Sequence, residues 1–241
     1  MREIYTKTED GVLEKIEVNF DAPEYKEESP WLFSLFIKYD GFDNTKEGFE
    51  EYLETKESLI IALEQKNAHY LGCRVVEGWS EFYFCAQDSK GLDKVAKQIL
   101  SPSGYAFESN VVRDTKWDVY ETQLMPNELE IAHIQSAKII FLLEEEGDAL
   151  ELEREVEHYA VFDTPTQKEK FIEFIEAAEN GFSFKDEISS EEFEHGVAFV
   201  KKHSLNEEEV KQIVEDIYAH IKQHGGYYEG WSTTLVETKE S

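Results

Sequence analysis

An α+β fold is predicted for this chain, with two antiparallel sheets that each carry helices on one face. Three observations predict it. The 241 residues are long for one domain and comfortable for two of about 100 residues each. Segments of period two are interleaved with segments whose apolar residues recur every three or four positions, so strands and helices alternate. The order β-α-β-β-α-β is legible after Val156, and nearly the same order lies between Trp31 and Leu124. A 41% apolar share with 13% aromatic residues supplies enough buried surface for packed cores.

Residues 3–20 alternate apolar and polar about Asp10-Gly11 and read as a hairpin. Residues 21–30, polar with two prolines, read as a loop. Residues 31–39 (WLFSLFIKY) are short, apolar and aromatic, as a buried strand is. Turn chemistry at 40–45 precedes a helix over 46–66, whose Phe49, Tyr52, Leu53, Leu59, Ile60 and Leu63 share one face and which Asn67 closes. Residues 69–76 and 79–86 form a second hairpin across Glu77-Gly78, with Phe82 and Phe84 on one face and Tyr83 and Cys85 on the other. A short helix over 92–100 ends at Ser101-Pro102-Ser103-Gly104, and 105–124 read as extended chain broken near 113–116.

A helix over 127–145, capped by Asn127 and stopped by Gly147, connects the halves. Residues 156–162 (VEHYAVF) are a strand. Thr164-Pro165 supplies a cap and a first-turn proline for a helix to about 179, with Phe171, Phe174, Ile175 and Ala178 inward and Asn180-Gly181 as its left-handed stop. Strands follow at 182–188 and 196–203. Asn206 caps a helix with Glu209 at the third position, in capping-box fashion, and Val210, Ile213, Val214, Ile217, Tyr218 and Ile221 form its buried face. Gly225-Gly226 ends it, and 227–236 are the last strand. Two helices on one face of a four-stranded antiparallel sheet make the ferredoxin-like βαββαβ sandwich. The chain thus divides into an N-terminal α+β domain (1–126), a connecting helix (127–147) and a C-terminal ferredoxin-like domain (148–241). The stretches FYFCAQDSKGLDKVAKQIL from Phe82 and AFVKKHSLNEEEVKQIVEDI from Ala198 look alike, as a duplication would leave them.

Charge narrows the function. With 53 acidic and 24 basic residues the net charge is −29. Such a surface repels phosphate backbones and anionic lipid, so direct nucleic-acid or membrane binding is disfavoured, and a partner with a basic segment is favoured. Solubility alone is the competing explanation. Folding about Glu77-Gly78 sets Cys73 opposite Phe82 rather than Cys85, so no disulfide is expected and a reducing, cytoplasmic setting fits. The first ten residues lack the apolar run of a secretory signal, and no apolar stretch reaches the roughly 20 residues of a membrane helix.

Candidate sites are few. Tyr228, Glu229 and Trp231 offer a partner-binding patch of the kind aromatic residues make at interfaces. Strict alternation places Tyr228 and Gly230 on one face and Tyr227, Glu229 and Trp231 on the other, where Trp231 either faces a partner or packs under a helix. Glu207, Glu208 and Glu209 form an acidic rim that suits a helix N-terminus. His220 and His224 have the spacing of two metal-ligating imidazoles, with Glu215 or Asp216 as a third ligand, but two surface histidines near a helix end satisfy the same pattern. The runs at 144–148 and 191–194 lack the oxygen spacing of a calcium loop and read as solvated faces. There is no Gly-x-Ser-x-Gly, phosphate-binding glycine loop or Cys-x-x-Cys, so neither a catalytic site nor a cofactor is assigned.

His158-Tyr159, Asn180-Gly181-Phe182 and above all Gly226-Tyr227-Tyr228-Glu229-Gly230-Trp231-Ser232-Thr233 resemble the bacterial regulator of ribonuclease E activity B family, with Glu229 where that family carries Asp. The resemblance covers about 144–237. Residues 27–128 resemble a bacterial domain family of unknown function, through Trp31, Gly78-Trp79-Ser80 and Trp117-Asp118-Val119-Tyr120-Glu121. The first resemblance implies an acidic, non-catalytic regulator of RNA turnover that binds and inhibits an endoribonuclease; the second brings no activity. Two other readings stand beside it: a metal-dependent hydrolase using His220 and His224, and an oligomeric scaffold whose sheets pair edge to edge.

Overall fold

The computed structural model of the protein describes residues 1–38, 46–177, 181–189 and 194–236. The turn expected at 40–45, the inward Ala178, the stop at Asn180 and the acids Glu191 and Glu192 lie outside the described residues. The chain forms two compact units, Met1–Pro126 and Asn127–Ser241.

In the first unit the strands are β1 (Arg2–Glu9), β2 (Val12–Asn19), β3 (Trp31–Lys38), β4 (Ala68–Val76), β5 (Trp79–Ala86) and β6 (Phe107–Arg113), in sheet order β1-β2-β4-β5-β3-β6. All neighbours are antiparallel. The last four, β4-β5-β3-β6, with α1 (Lys46–Glu64) and α2 (Leu92–Ser103), make a ferredoxin-like sandwich to which the β1–β2 hairpin adds two strands at the β4 edge. Alternation aims Phe33, Leu35, Ile37, Phe82 and Phe84 at Leu59, Ile60, Leu63, Ala96 and Leu100 of the helices. Phe49 and Leu53, expected on the buried face of α1, are exposed, while Lys56 is buried and reaches Glu17 of β2. Cys73 pairs with Phe82 across the hairpin, and both cysteines are free and buried. Burial pushes the Cys73 thiol up to about 12 and the Cys85 thiol to about 11, so both are inert core residues.

Two further sequence expectations fail here. Helix α2 continues through Pro102 and stops at Gly104, whose φ of 75° ends it. Residues 117–124 are not extended. Asp114 accepts the backbone N–H of Asp118 at 3.0 Å and of Val119 at 3.5 Å, which starts a helical turn whose Tyr120 and Leu124 are buried. That turn is tied to the hairpin, because Tyr5 donates to the Leu124 carbonyl and Tyr120 to that of Asn19.

The second unit contains α3 (Glu128–Glu145), β7 (Arg154–Phe162), α4 (Pro165–Glu176), β8 (Phe182–Ile188), β9 (Gly196–His203), α5 (Glu207–Gln223) and β10 (Gly226–Ser232). Its sheet order, β10-β7-β9-β8, is antiparallel throughout and is the ferredoxin-like order. Asn127 and Glu130 close a reciprocal capping box on α3, and Thr164 caps α4. Helix α3, expected to connect the halves, packs inside this unit: Ala132, Leu129 and Ile140 share a cluster with Trp231, Val156 and Val210. The two look-alike stretches occupy equivalent places, β5–α2 and β9–α5.

Candidate functional site

Tertiary pairing brings together three polar side chains that the sequence leaves far apart. His158 lies on β7, His203 at the end of β9 and Tyr228 on β10. Val156, His158 and Ala160 alternate toward the helices, as do Phe199 and His203 on β9, so both imidazoles point into the core. His158 is fully buried and His203 nearly so. The bonds run in one direction. His203 Nδ1–H donates to the Ser204 carbonyl at 2.6 Å, so its Nε2 is left as an acceptor. His158 Nε2 lies 3.4 Å from that nitrogen and carries the proton. His158 Nδ1 then accepts from the Tyr228 hydroxyl at 2.9 Å. Each ring nitrogen of the two histidines then has a partner with both rings neutral. Burial, then neighbouring His203 and Lys201, pushes His158 down to about 3. Burial lowers His203 and raises the Tyr228 phenol well above its usual range. Burial thus keeps the His158 ring neutral, packed in the core beside His203.

Trp231 also points inward. It is 5% exposed, and its Nε1–H donates to Ser136 Oγ on α3 at 2.9 Å. Strict alternation puts it on the opposite face from Tyr228; a β-bulge corrects this. Tyr228 pairs with Ala160, whereas Gly230 pairs with Tyr159, leaving Glu229 as the extra residue. The slip of one turns Trp231 to the helix side that Tyr228 already faces. Gly230, with φ of 105°, permits it, and a glycine inside a strand is the sequence signal that could have announced it.

The surface of this unit is where carboxylates gather. Val161, Phe162, Asp163, Glu194, His195, Tyr227 and Glu229 line a groove of about 360 Å³. Glu229 and Glu194 are exposed there, and Tyr227 is 42% exposed. Glu207, Glu208 and Glu209 are exposed in the first turn of α5. Asn206 Oδ1 accepts from Glu208 N–H. Glu209 does not close the expected box on Asn206: it accepts from the Ser204 hydroxyl, which in turn accepts the Asn206 N–H. Three of the six predicted residues thus sit on one helix end, Glu229 lines the groove, and Tyr228 and Trp231 lie beneath.

His220 and His224 pack against Phe174, with ring centroids 4.5 and 5.4 Å away, and His224 Nδ1 bonds the His220 carbonyl. Among the described residues no group of three or more His, Cys, Asp or Glu is placed to hold a metal. No helix among them is long and apolar enough to cross a membrane.

Comparison with known families matches the chain in two places. The family model described as regulator of ribonuclease activity B matches residues 133–233. A family of unknown function, DUF695, matches residues 3–125. No curated protein is similar enough to the chain to count as a match.

Proposed function

Because the chain belongs to the family of unknown function DUF695 over half its length and carries a region matching regulator of ribonuclease activity B over most of the rest, we propose that it is a cytoplasmic, non-catalytic regulator that restrains an RNA-degrading endoribonuclease by binding it. The observation that carries this reading is a division of labour in the second unit. The imidazoles of His158 and His203 are buried, and the first is bonded to the half-buried Tyr228. The groups at the surface are carboxylates beside an exposed tyrosine.

The contact surface is the acidic groove with Glu229, together with the rim Glu207, Glu208 and Glu209; Tyr228 and Trp231 hold the bulged strand that presents Glu229. A basic segment of the partner docks there. Rim charges act chiefly on the association rate and its salt dependence. Titrating the purified endoribonuclease of the same host against the chain by calorimetry tests this. Saturable binding is expected, weakened about tenfold in E207K/E208K with a flatter salt dependence; absence of binding at micromolar concentrations contradicts it.

A further inference from the structure

Among the described residues four strands stand at sheet edges: β1 and β6 in the first unit, β10 and β8 in the second. An edge strand presents unpaired backbone N–H and C=O groups, and folded proteins guard it with charges, prolines or bulges. Three of these edges are guarded. β1 carries Arg2, Glu3, Lys7 and Glu9 along its length. β8 is bulged between Phe184 and Asp186 and carries Lys185, Asp186 and Glu187. β10 is bulged at Glu229. β6 is bare by comparison. It runs in unbroken register with β3 from Phe107 to Arg113. Its charges stand near its ends, at Glu108 and Arg113, and Ser109-Asn110-Val111-Val112 between them is uncharged. Every side chain from Glu108 to Arg113 is exposed, the two valines included.

The ladder with β3 decides which backbone groups look outward. Lys38 N–H donates to the Ala106 carbonyl and Asp114 N–H to the Pro30 carbonyl, each at 2.9 Å. Even-numbered residues of β6 therefore turn their backbone groups toward β3, and Phe107, Ser109, Val111 and Arg113 turn theirs to the open edge. Among the described residues no strand takes them. The edge complements itself. Laid antiparallel on a second copy about Asn110, it sets Phe107 opposite Arg113 and Ser109 opposite Val111, so each outward residue exchanges bonds with another outward residue. That register also lays the Arg113 guanidinium beside a Phe107 ring and Glu108 beside Val112, with no like charges facing. A slip of two residues loses one of these pairings and, in one direction, sets Glu108 against Asp114.

We propose that the chain associates with a second copy of itself along β6, antiparallel about Asn110, joining two sheets into one. β6 carries one acid and one base and is neutral in a chain of net charge −29. It offers nothing to draw a basic foreign segment, and it is where two such anionic molecules meet with least repulsion. Salt screens the repulsion that remains, so this association strengthens with salt. It stands without the reading of the second unit.

Sedimentation equilibrium of the full chain at about 100 µM, a concentration suited to a small and weak interface, tests it. A mass twice that of one chain is expected, with tighter association as salt rises. S109K/V111K sets lysine opposite lysine in this register and should weaken association about tenfold. In N110C the introduced thiol meets its copy in a non-hydrogen-bonded pair, with Cα atoms about 4.5 Å apart, within the span of a disulfide. In V111C the two thiols are offset along the strands, at about 7–8 Å. With diamide as oxidant N110C should crosslink about tenfold faster than V111C; the native Cys73 and Cys85 are buried and stay out of the reaction. E207K/E208K should associate as the parent does. The proposal is overturned if the chain sediments as a single copy at every salt concentration, if S109K/V111K associates as the parent does, if N110C crosslinks no faster than V111C, or if E207K/E208K abolishes association.

Discussion

The two units share one strand plan and lock it differently. In the first, the ionic bond sits at a seam: Lys56 of α1 donates to Glu17 of β2 at 2.5 Å, and Tyr70 of β4 donates to the same carboxylate at 3.1 Å. That joins the added hairpin to the sandwich. In the second, no hairpin is added; α3 is laid beside α5, and polar keys run through the core itself, from Trp231 to Ser136 and from Tyr228 through His158 to His203. A β-α-β-β-α-β order therefore fixes the sheet but not what covers its margins. Among the described residues it also places the buried histidines in one unit only. The first unit's single histidine, His69, is half-buried and stacked on Tyr25.

Removing the largest key should break the second unit hardest. Trp231→Ala leaves a cavity and takes the indole donor from Ser136 Oγ, which keeps only its own bond to the Ala132 carbonyl, and should cost about 3–5 kcal/mol in urea unfolding. In the first unit, Lys56→Met strands Glu17, whose side chain is 13% exposed. The loss expected is about 3 kcal/mol, at the lower end for breaking a buried pair. Equal and negligible losses in both variants would show that neither lock matters.

Acid sharpens the comparison. His158 binds a proton near pH 6.5 when unfolded but only near 3 when folded. Between those values the unfolded state holds more protons, so stability falls as pH falls below about 6.5. From pH 7 to pH 5 the loss from this group is on the order of 2 kcal/mol, and His203, shifted in the same direction, adds to it. The double variant H158F/Y228F should lose about one proton from the slope of stability against pH over that window. Smallest is Ser136→Ala, which removes only the acceptor of the indole N–H, at about 1 kcal/mol.

Much of this was legible because local chemistry carries it. Asp10-Gly11 and Glu77-Gly78 announce both hairpins, and Asn127, Thr164 and Asn206 announce three helix starts. What stayed hidden depends on pairing at long range. His158 and His203 are 45 residues apart in sequence and meet only through strand register. The helical turn before Leu124 rests on the Asp114 side chain, which polar-apolar alternation cannot reveal. The inward turn of Trp231 rests on one extra residue at Glu229, and Gly230 was its only local trace.

The most direct test of the regulatory account is the rate of RNA cleavage by the host's endoribonuclease as the purified chain is added. A saturable fall in rate is expected, relieved in E207K/E208K and weakened at higher salt, with no RNA bound by the chain itself. An unchanged rate at a large excess of chain over enzyme would contradict it.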